Sequence, residues 1–152
     1  MSAAARSSWI EIGLLAAIVA MVTVIAMPGI LVSKKSVNES EAAGALRMLN
    51  TAEASYHVRH PAIGFTCSLK ELDNERLIDA KTATGLRSGY RLWSSGCRSG
   101  TPKSTAITEY QWFADPVSPE NGTRHFCTDQ STIVRGSDQR SGPDCLVLGS
   151  EL

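Results

Sequence analysis

The first part of the chain carries one long apolar run. Glu11 is the last charged residue before Lys34, and the uncharged segment from Ile12 to Ser33 is 22 residues long. As a helix this segment would rise about 33 Å, close to the hydrocarbon thickness of a bilayer. The pattern therefore predicts a helix over residues 9–32 that spans a membrane or lies in a filament core. Residues 1–8 would be a short leader on the cytoplasmic side.

The helical pattern continues past the apolar run. Residues 33–58 contain no proline and a single glycine, Gly44. Apolar residues recur there at intervals of three or four, as on one face of a helix. The positions of this stripe are Ala42, Ala45, Leu49, Ala52 and Tyr56. We predict that residues 33–60 form the soluble half of the long helix, with Glu39, Arg47 and Glu53 on the face opposite the stripe.

Two prolines mark changes along this helix. Pro28 is followed by Gly29, and proline removes one helical hydrogen bond while glycine adds backbone freedom. This pair predicts a kink. Pro61 predicts the end of the helix, because the residue before a proline is disfavoured in helical geometry.

Residues 61–152 are predicted to form a globular α+β head. Ser68 to Glu71 has the spacing of a capping box and predicts a short helix. Four runs have strand character: Tyr90–Trp93, Tyr110–Phe113, Arg124–Cys127 and Thr132–Arg135. The last two runs are close enough to form a hairpin, whereas residues 94–104 and 136–144 are typical of loops. Antiparallel strands would pack against the upper half of the long helix.

Composition narrows the function classes. The chain has 15 basic and 15 acidic residues and a net charge of zero, so nothing indicates a nucleic-acid surface. The four cysteines are Cys67, Cys97, Cys127 and Cys145, and all follow the apolar run. An even number of cysteines in a small domain outside the cytoplasm predicts two disulfides. They also place the head in the periplasm or outside the cell.

The order of these features resembles type IV pilins and type II secretion pseudopilins. In that family an apolar N-terminal helix carries one glutamate near its start and a proline 17 residues later, as Glu11 and Pro28 do here. The segments Ser36–Ala42, Leu49–Tyr56, Gly64–Leu69 and Phe126–Arg135 are similar to the soluble helix and head of pilin-like proteins. The alternative is an ordinary membrane anchor with Glu11 at the headgroup level.

The resemblance implies a fold, a pairing and a role. The fold would be a long N-terminal helix packed on a small antiparallel sheet. Cys127 would pair with Cys145 as the C-terminal pilin disulfide, which leaves Cys67 to pair with Cys97. Glu11 would be the assembly residue, pairing with the N-terminal amine of a neighbouring subunit.

One position departs from the family pattern. Prepilin peptidase cuts after a glycine five residues before the conserved glutamate, whereas this position holds Arg6 and the first mature residue would be Ser7. Three possibilities follow: a pilin relative that stays membrane-bound, an alternative processing route, or an altered start.

Candidate chemistry is sparse, and we predict neither an enzyme nor a cofactor or metal site. His57, His60 and Cys67 are close enough in sequence to suggest a metal, but Pro61 breaks the helix and Cys67 has a disulfide alternative. Asp115, Asp129, Asp138 and Asp144 lie in predicted loops without regular calcium-ligand spacing. The aromatic residues Trp93, Trp112 and Phe113 are predicted to belong to the sheet core and not to a ligand platform. No small-molecule ligand is predicted.

The sequence thus predicts a structural subunit of a type IV pilus-like or pseudopilus filament. Its partners would be copies of itself, related pilins, the inner membrane and an assembly platform. It would be a single-pass inner-membrane protein with a periplasmic head, or part of a cell-surface filament. The alternative is a membrane-anchored periplasmic binding module on a pilin scaffold that does not polymerise.

Overall fold

The computed structural model of the protein describes residues 3–99, 106–139 and 141–152. Within the first helix, the side chains of residues 3–11, 20 and 22–33 are outside this description. The chain divides into two compact units, Met1–Lys34 and Lys35–Leu152. The finer predicted division into residues 1–8, 9–32, 33–60 and 61–152 stays a prediction.

Helix α1 comprises Ala3–Arg59, and its assignment is continuous through Pro28 and Gly29. The prediction that its first half spans a membrane is wrong. A span needs about 20 consecutive, mainly apolar residues, and the described part of the chain contains no helix both long and apolar enough to cross a bilayer. The part of the predicted fold class that made the first half of the long helix membrane-spanning is therefore also wrong. The predicted location, a single-pass inner-membrane protein or a cell-surface filament, is corrected by the same finding.

Three short helices follow α1. They are α2 (Leu69–Asn74), α3 (Ala80–Ala83) and α4 (Pro143–Leu148). The predicted capping box is confirmed, because the Ser68 side chain accepts a hydrogen bond from the Glu71 backbone N–H. Asp79 caps α3 in the same way by accepting from the Thr82 N–H. Each cap satisfies a backbone donor that the first helical turn leaves open.

The unit Lys35–Leu152 contains a six-stranded antiparallel sheet. Its strands, in spatial order, are β1 (Leu86–Arg87), β2 (Tyr90–Ser94), β5 (Gln111–Pro116), β6 (His125–Asp129), β7 (Arg135–Ser137) and β8 (Ser150–Glu151). A separate pair joins β3 (Arg98–Ser99) to β4 (Ile107–Glu109). The α+β class and the antiparallel pairing of the predicted hairpin are confirmed.

The two faces of the sheet are buried by different elements. On the inner face Tyr90, Trp112 and Phe126 share one hydrophobic cluster with Leu46 and Leu49 of α1. Burying each large apolar side chain contributes about 1.5–3 kcal/mol. On the outer face a smaller cluster contains Phe113, Cys127 and Cys145, with Trp93 packed against it. The sheet therefore has α1 on one face and α4 on the other, and the aromatic residues belong to its core as predicted.

Three predictions about the head need correction. The run Thr132–Arg135 is not a strand from its start, because β7 begins only at Arg135. The predicted loop over residues 94–104 contains β3, and its residues 100–104 lie outside the described part. The predicted loop over residues 136–144 contains most of β7 and the start of α4.

Glu53 is also misplaced by the prediction. The sequence predicts it on the face of α1 opposite the apolar stripe, yet it is fully buried in the core. Glu53 lies four residues after Leu49 and three before Tyr56, which places it on the buried face of the helix.

Candidate functional site

The first candidate is an exposed apolar surface on α1. It consists of Ile12, Leu14, Leu15, Ile18 and Met21, which are 52–69% exposed; we call it the apolar helix surface. Because each residue turns a helix by about 100°, these five large side chains lie on one half of the circumference, and the exposed small residues Gly13, Ala16 and Ala17 occupy the other half. Exposed apolar groups on all sides of a helix favour association with other apolar surfaces.

The predicted assembly and kink residues border this surface. Glu11 directly precedes Ile12, and Pro28 and Gly29 follow Met21 by about two helical turns. Their backbone is helical, but their side chains lie outside the described residues. The assembly role of Glu11 and the kink at Pro28 and Gly29 stay predictions.

Two disulfides stabilise the unit Lys35–Leu152. Cys67 is bonded to Cys97 and Cys127 to Cys145, with Cα atoms 5.9 and 6.0 Å apart. The prediction of two disulfides is confirmed, and the pairing is the one that the resemblance implies. The first bond attaches the segment after α1 to the segment after β2. The second attaches α4 to β6.

A buried carboxylate connects α1 to both the sheet and the first disulfide. The Glu53 carboxylate accepts hydrogen bonds from the backbone N–H of Thr66 at 2.9 Å and of Cys67 at 3.0 Å. It also accepts from Nε1 of Trp112 at 2.9 Å. Burial raises the pKa of the Glu53 carboxyl above its ordinary value, and the three hydrogen bonds oppose that shift.

Asn50 connects α1 to the segment between β6 and β7. Its side-chain Nδ2 donates to Oγ1 of Thr128 and to the backbone carbonyl of Thr132, each at 2.9 Å. Its Oδ1 accepts from the hydroxyl of Tyr110 at 3.1 Å. These bonds hold residues 132–133 against α1, which explains why β7 begins later than predicted. The pattern of apolar residues did not reveal Asn50 or Glu53 as core residues because both side chains are polar.

On the outer face of the sheet, Asp115 and His125 form a close pair. Asp115 is the residue after Ala114, whose strand partner is Phe126, so Asp115 and His125 lie opposite each other on β5 and β6. His125 Nδ1 lies 2.7 Å from Asp115 Oδ1, and Trp93 Nε1 donates to Oδ2 at 2.7 Å. The side chains of Asp115 and His125 are 13% and 26% exposed. Beside His125 lies an open cavity of about 380 Å³.

The structure does not assemble the metal site considered from the sequence. His57 stacks on Phe65, His60 Nε2 lies 3.3 Å from Glu75 Oε1, and Cys67 is in a disulfide. The described residues contain no group of three or more His, Cys, Asp or Glu side chains that could hold a metal ion.

The four aspartates considered for calcium also make separate contacts. Asp115 pairs with His125, and Asp138 lies 3.3 Å from Arg124. Asp129 accepts from the Ser131 N–H, and Asp144 lies in the first turn of α4. They do not converge on one point.

Comparisons of the chain with protein-family models, with curated proteins and with solved structures found no match.

Proposed function

We propose that this chain is a non-enzymatic structural subunit of the type IV pilus-like or pseudopilus class. It assembles with copies of itself and with related subunits through its N-terminal helix. The observation that carries the proposal is the apolar helix surface, whose five side chains are 52–69% exposed.

The size of this surface favours assembly with several neighbours over a simple pair. Burying the exposed parts of five such side chains contributes about 5–9 kcal/mol. The loss of translational and rotational freedom on association costs about 4–15 kcal/mol. A single contact therefore gives little net affinity. When several neighbours surround the helix, each new subunit gains contacts on more than one side, as in an open-ended helical assembly.

The hydrogen bonds and disulfides of the unit Lys35–Leu152 also support a structural role. Both cysteine pairs are oxidised, and α1 is held to the sheet by the Glu53 and Asn50 contacts. A subunit of this kind would keep its shape while its helix exchanges partners.

The proposal is tested by charge substitution on the apolar helix surface. The purified full chain should form regular fibres by negative-stain microscopy and sediment as a large species. The double variant Leu14→Lys with Ile18→Lys places two charges one turn apart on the same side of the helix, and it should sediment as a monomer. The matched control is Val58→Lys with Val147→Lys, at apolar positions that are 78% and 80% exposed in the other unit.

The outcomes separate the two candidate functions. Fibres from the wild type and the control, but not from the Leu14 and Ile18 variant, support a filament subunit. A wild-type chain that stays monomeric at all concentrations contradicts the proposal and favours the alternative, a binding module that does not polymerise. Irregular aggregates in place of fibres also contradict it.

A further inference from the structure

The imidazole of His125 is held in one orientation by the outer face of the sheet. Both oxygens of the Asp115 carboxylate are engaged, one by His125 Nδ1 and the other by Trp93 Nε1. A carboxylate only accepts hydrogen bonds, so Nδ1 must carry the proton. In the neutral ring Nε2 is then an acceptor. Within the described residues, Nε2 has no hydrogen-bond partner.

The cavity beside His125 combines this imidazole with apolar walls. Pro116, Val117 and Pro119 supply the apolar lining, and Ser118 and Thr123 line it as well. The two hydroxyl groups are already engaged: Ser118 Oγ accepts from Asn121, and Thr123 Oγ1 donates to Glu39. Among the described lining side chains, His125 therefore provides the one nitrogen acceptor, beside two hydroxyl groups that already make other hydrogen bonds.

These features select the chemistry of a ligand. An anion is disfavoured, because the Asp115 carboxylate already places a negative charge against the ring. A metal ion would find one imidazole and no second nitrogen or carboxylate ligand in the described lining. A flat apolar ring with one hydroxyl fits both the walls and the acceptor, and the cavity volume of about 380 Å³ is within the range of small-ligand sites.

We propose that this cavity binds a phenolic ring, with the phenol hydroxyl donating to Nε2 of His125 and the ring lying against Pro116, Val117 and Pro119. In this site Asp115 is a positioning residue that sets the tautomer of the imidazole. The phenolic group comes from a free small molecule or from a tyrosine side chain. The inference does not depend on how the N-terminal helix assembles.

The test uses saturation-transfer NMR with the full chain at about pH 8. The probes are phenol and anisole, which share a ring but differ in that anisole has no hydroxyl proton to donate. Phenol should bind about three- to tenfold more tightly than anisole, the effect of one net hydrogen bond. This comparison needs no variant. Absence of transfer to phenol, or equal binding of the two probes, overturns the proposal.

Variants locate the bound ring. His125→Phe keeps an aromatic ring but removes Nε2, so phenol should bind no better than anisole. Val117→Asp puts a charge into the apolar wall at an exposed position and should abolish binding of both probes. The matched control is His57→Phe, which replaces an exposed histidine far from His125 in the sequence. This variant should bind both probes like the wild type. Unchanged phenol binding in both cavity variants overturns the proposal.

A third probe distinguishes the source of the phenolic group. N-acetyltyrosinamide carries the same phenol on a peptide backbone. If it binds more tightly than phenol, the natural occupant is a tyrosine of a partner protein. If phenol binds more tightly, the cavity takes a free phenolic compound.

Discussion

Nε1 of Trp112 donates a hydrogen bond of 2.9 Å to the carboxylate of Glu53 inside the core. The same carboxylate holds the backbone of residues 66–67, where the Cys67–Cys97 disulfide begins. One side chain thus connects the helix, the sheet and a disulfide. Removing it would leave three buried donors without an acceptor, each costing about 1–3 kcal/mol.

We therefore predict a pH-dependent difference between the wild type and Glu53→Gln. Because burial raises the pKa of Glu53 above its unfolded value of about 4.5, its stabilising contribution is fully present below that value and is lost as the pH rises through the folded-state pKa. The wild-type free energy of unfolding, minus that of the variant, should fall as the pH rises above about 4.5, by at most about 1.4 kcal/mol per pH unit.

Urea unfolding at a series of pH values measures this difference. The contributions of the other titrating groups cancel in it, because both proteins share those groups. A difference that grows with pH would show that the hydrogen bonds outweigh the effect of burial.

The two disulfides should contribute unequally to stability. Their loops span 30 and 18 residues, so both contribute about 3–4 kcal/mol through the unfolded chain, the longer loop slightly more. However, Cys127 and Cys145 are fully buried, whereas Cys67 and Cys97 are only partly buried. Replacing Cys127 and Cys145 by alanine should therefore lower the free energy of unfolding more than replacing Cys67 and Cys97. Equal losses in urea unfolding would show that loop closure alone determines the contribution.

Residues 35–152 should fold and stay monomeric without the first unit. This segment contains the complete core cluster and both disulfides, and it lacks the apolar helix surface. Expressed under oxidising conditions, it should show one cooperative thermal transition and sediment as a monomer at concentrations where the full chain assembles. An aggregated or unfolded product would show that the core depends on residues 1–34.

Glu11→Ala should reduce the yield of regular fibres. A carboxylate among packed apolar helices is strongly unfavourable unless it is paired, so we expect it to pair with the N-terminal amine of a neighbour and to set the register between subunits. The Glu11→Ala variant should keep the unit Lys35–Leu152 folded, as measured by circular dichroism. The control Glu109→Ala changes an exposed glutamate of β4. Equal fibre yields from the wild type and Glu11→Ala would exclude this role.

Periodicity and local signals predicted much of the fold. The stripe from Ala42 to Tyr56 is buried in the core, and the capping box at Ser68 and the strand beginning at Tyr90 lie where the sequence placed them. These features are local, because each depends on residues within a few positions of one another. The membrane-spanning prediction rested on the length and apolarity of one segment, and it is among the predictions that the structure overturned.

The contacts that define the sites could not be predicted in the same way. The donors to Glu53 lie 13, 14 and 59 residues away, so nothing local indicates that its charge would be accommodated in the core. A signal did exist in its spacing, since Glu53 and Asn50 continue the buried face of α1. The pairing of Asp115 with His125 depends on strand register, which appears only when the sheet is formed.

The two edge strands of the six-stranded sheet are very short. β1 and β8 have two residues each, so they present few unpaired N–H and C=O groups to another chain. Neighbouring subunits in a crowded assembly would gain little by extending one another's sheets. In the proposed assembly, growth would thereby be directed away from the amyloid-like route of strand addition, and the unit Lys35–Leu152 could be held at high local concentration without fusing to its neighbours.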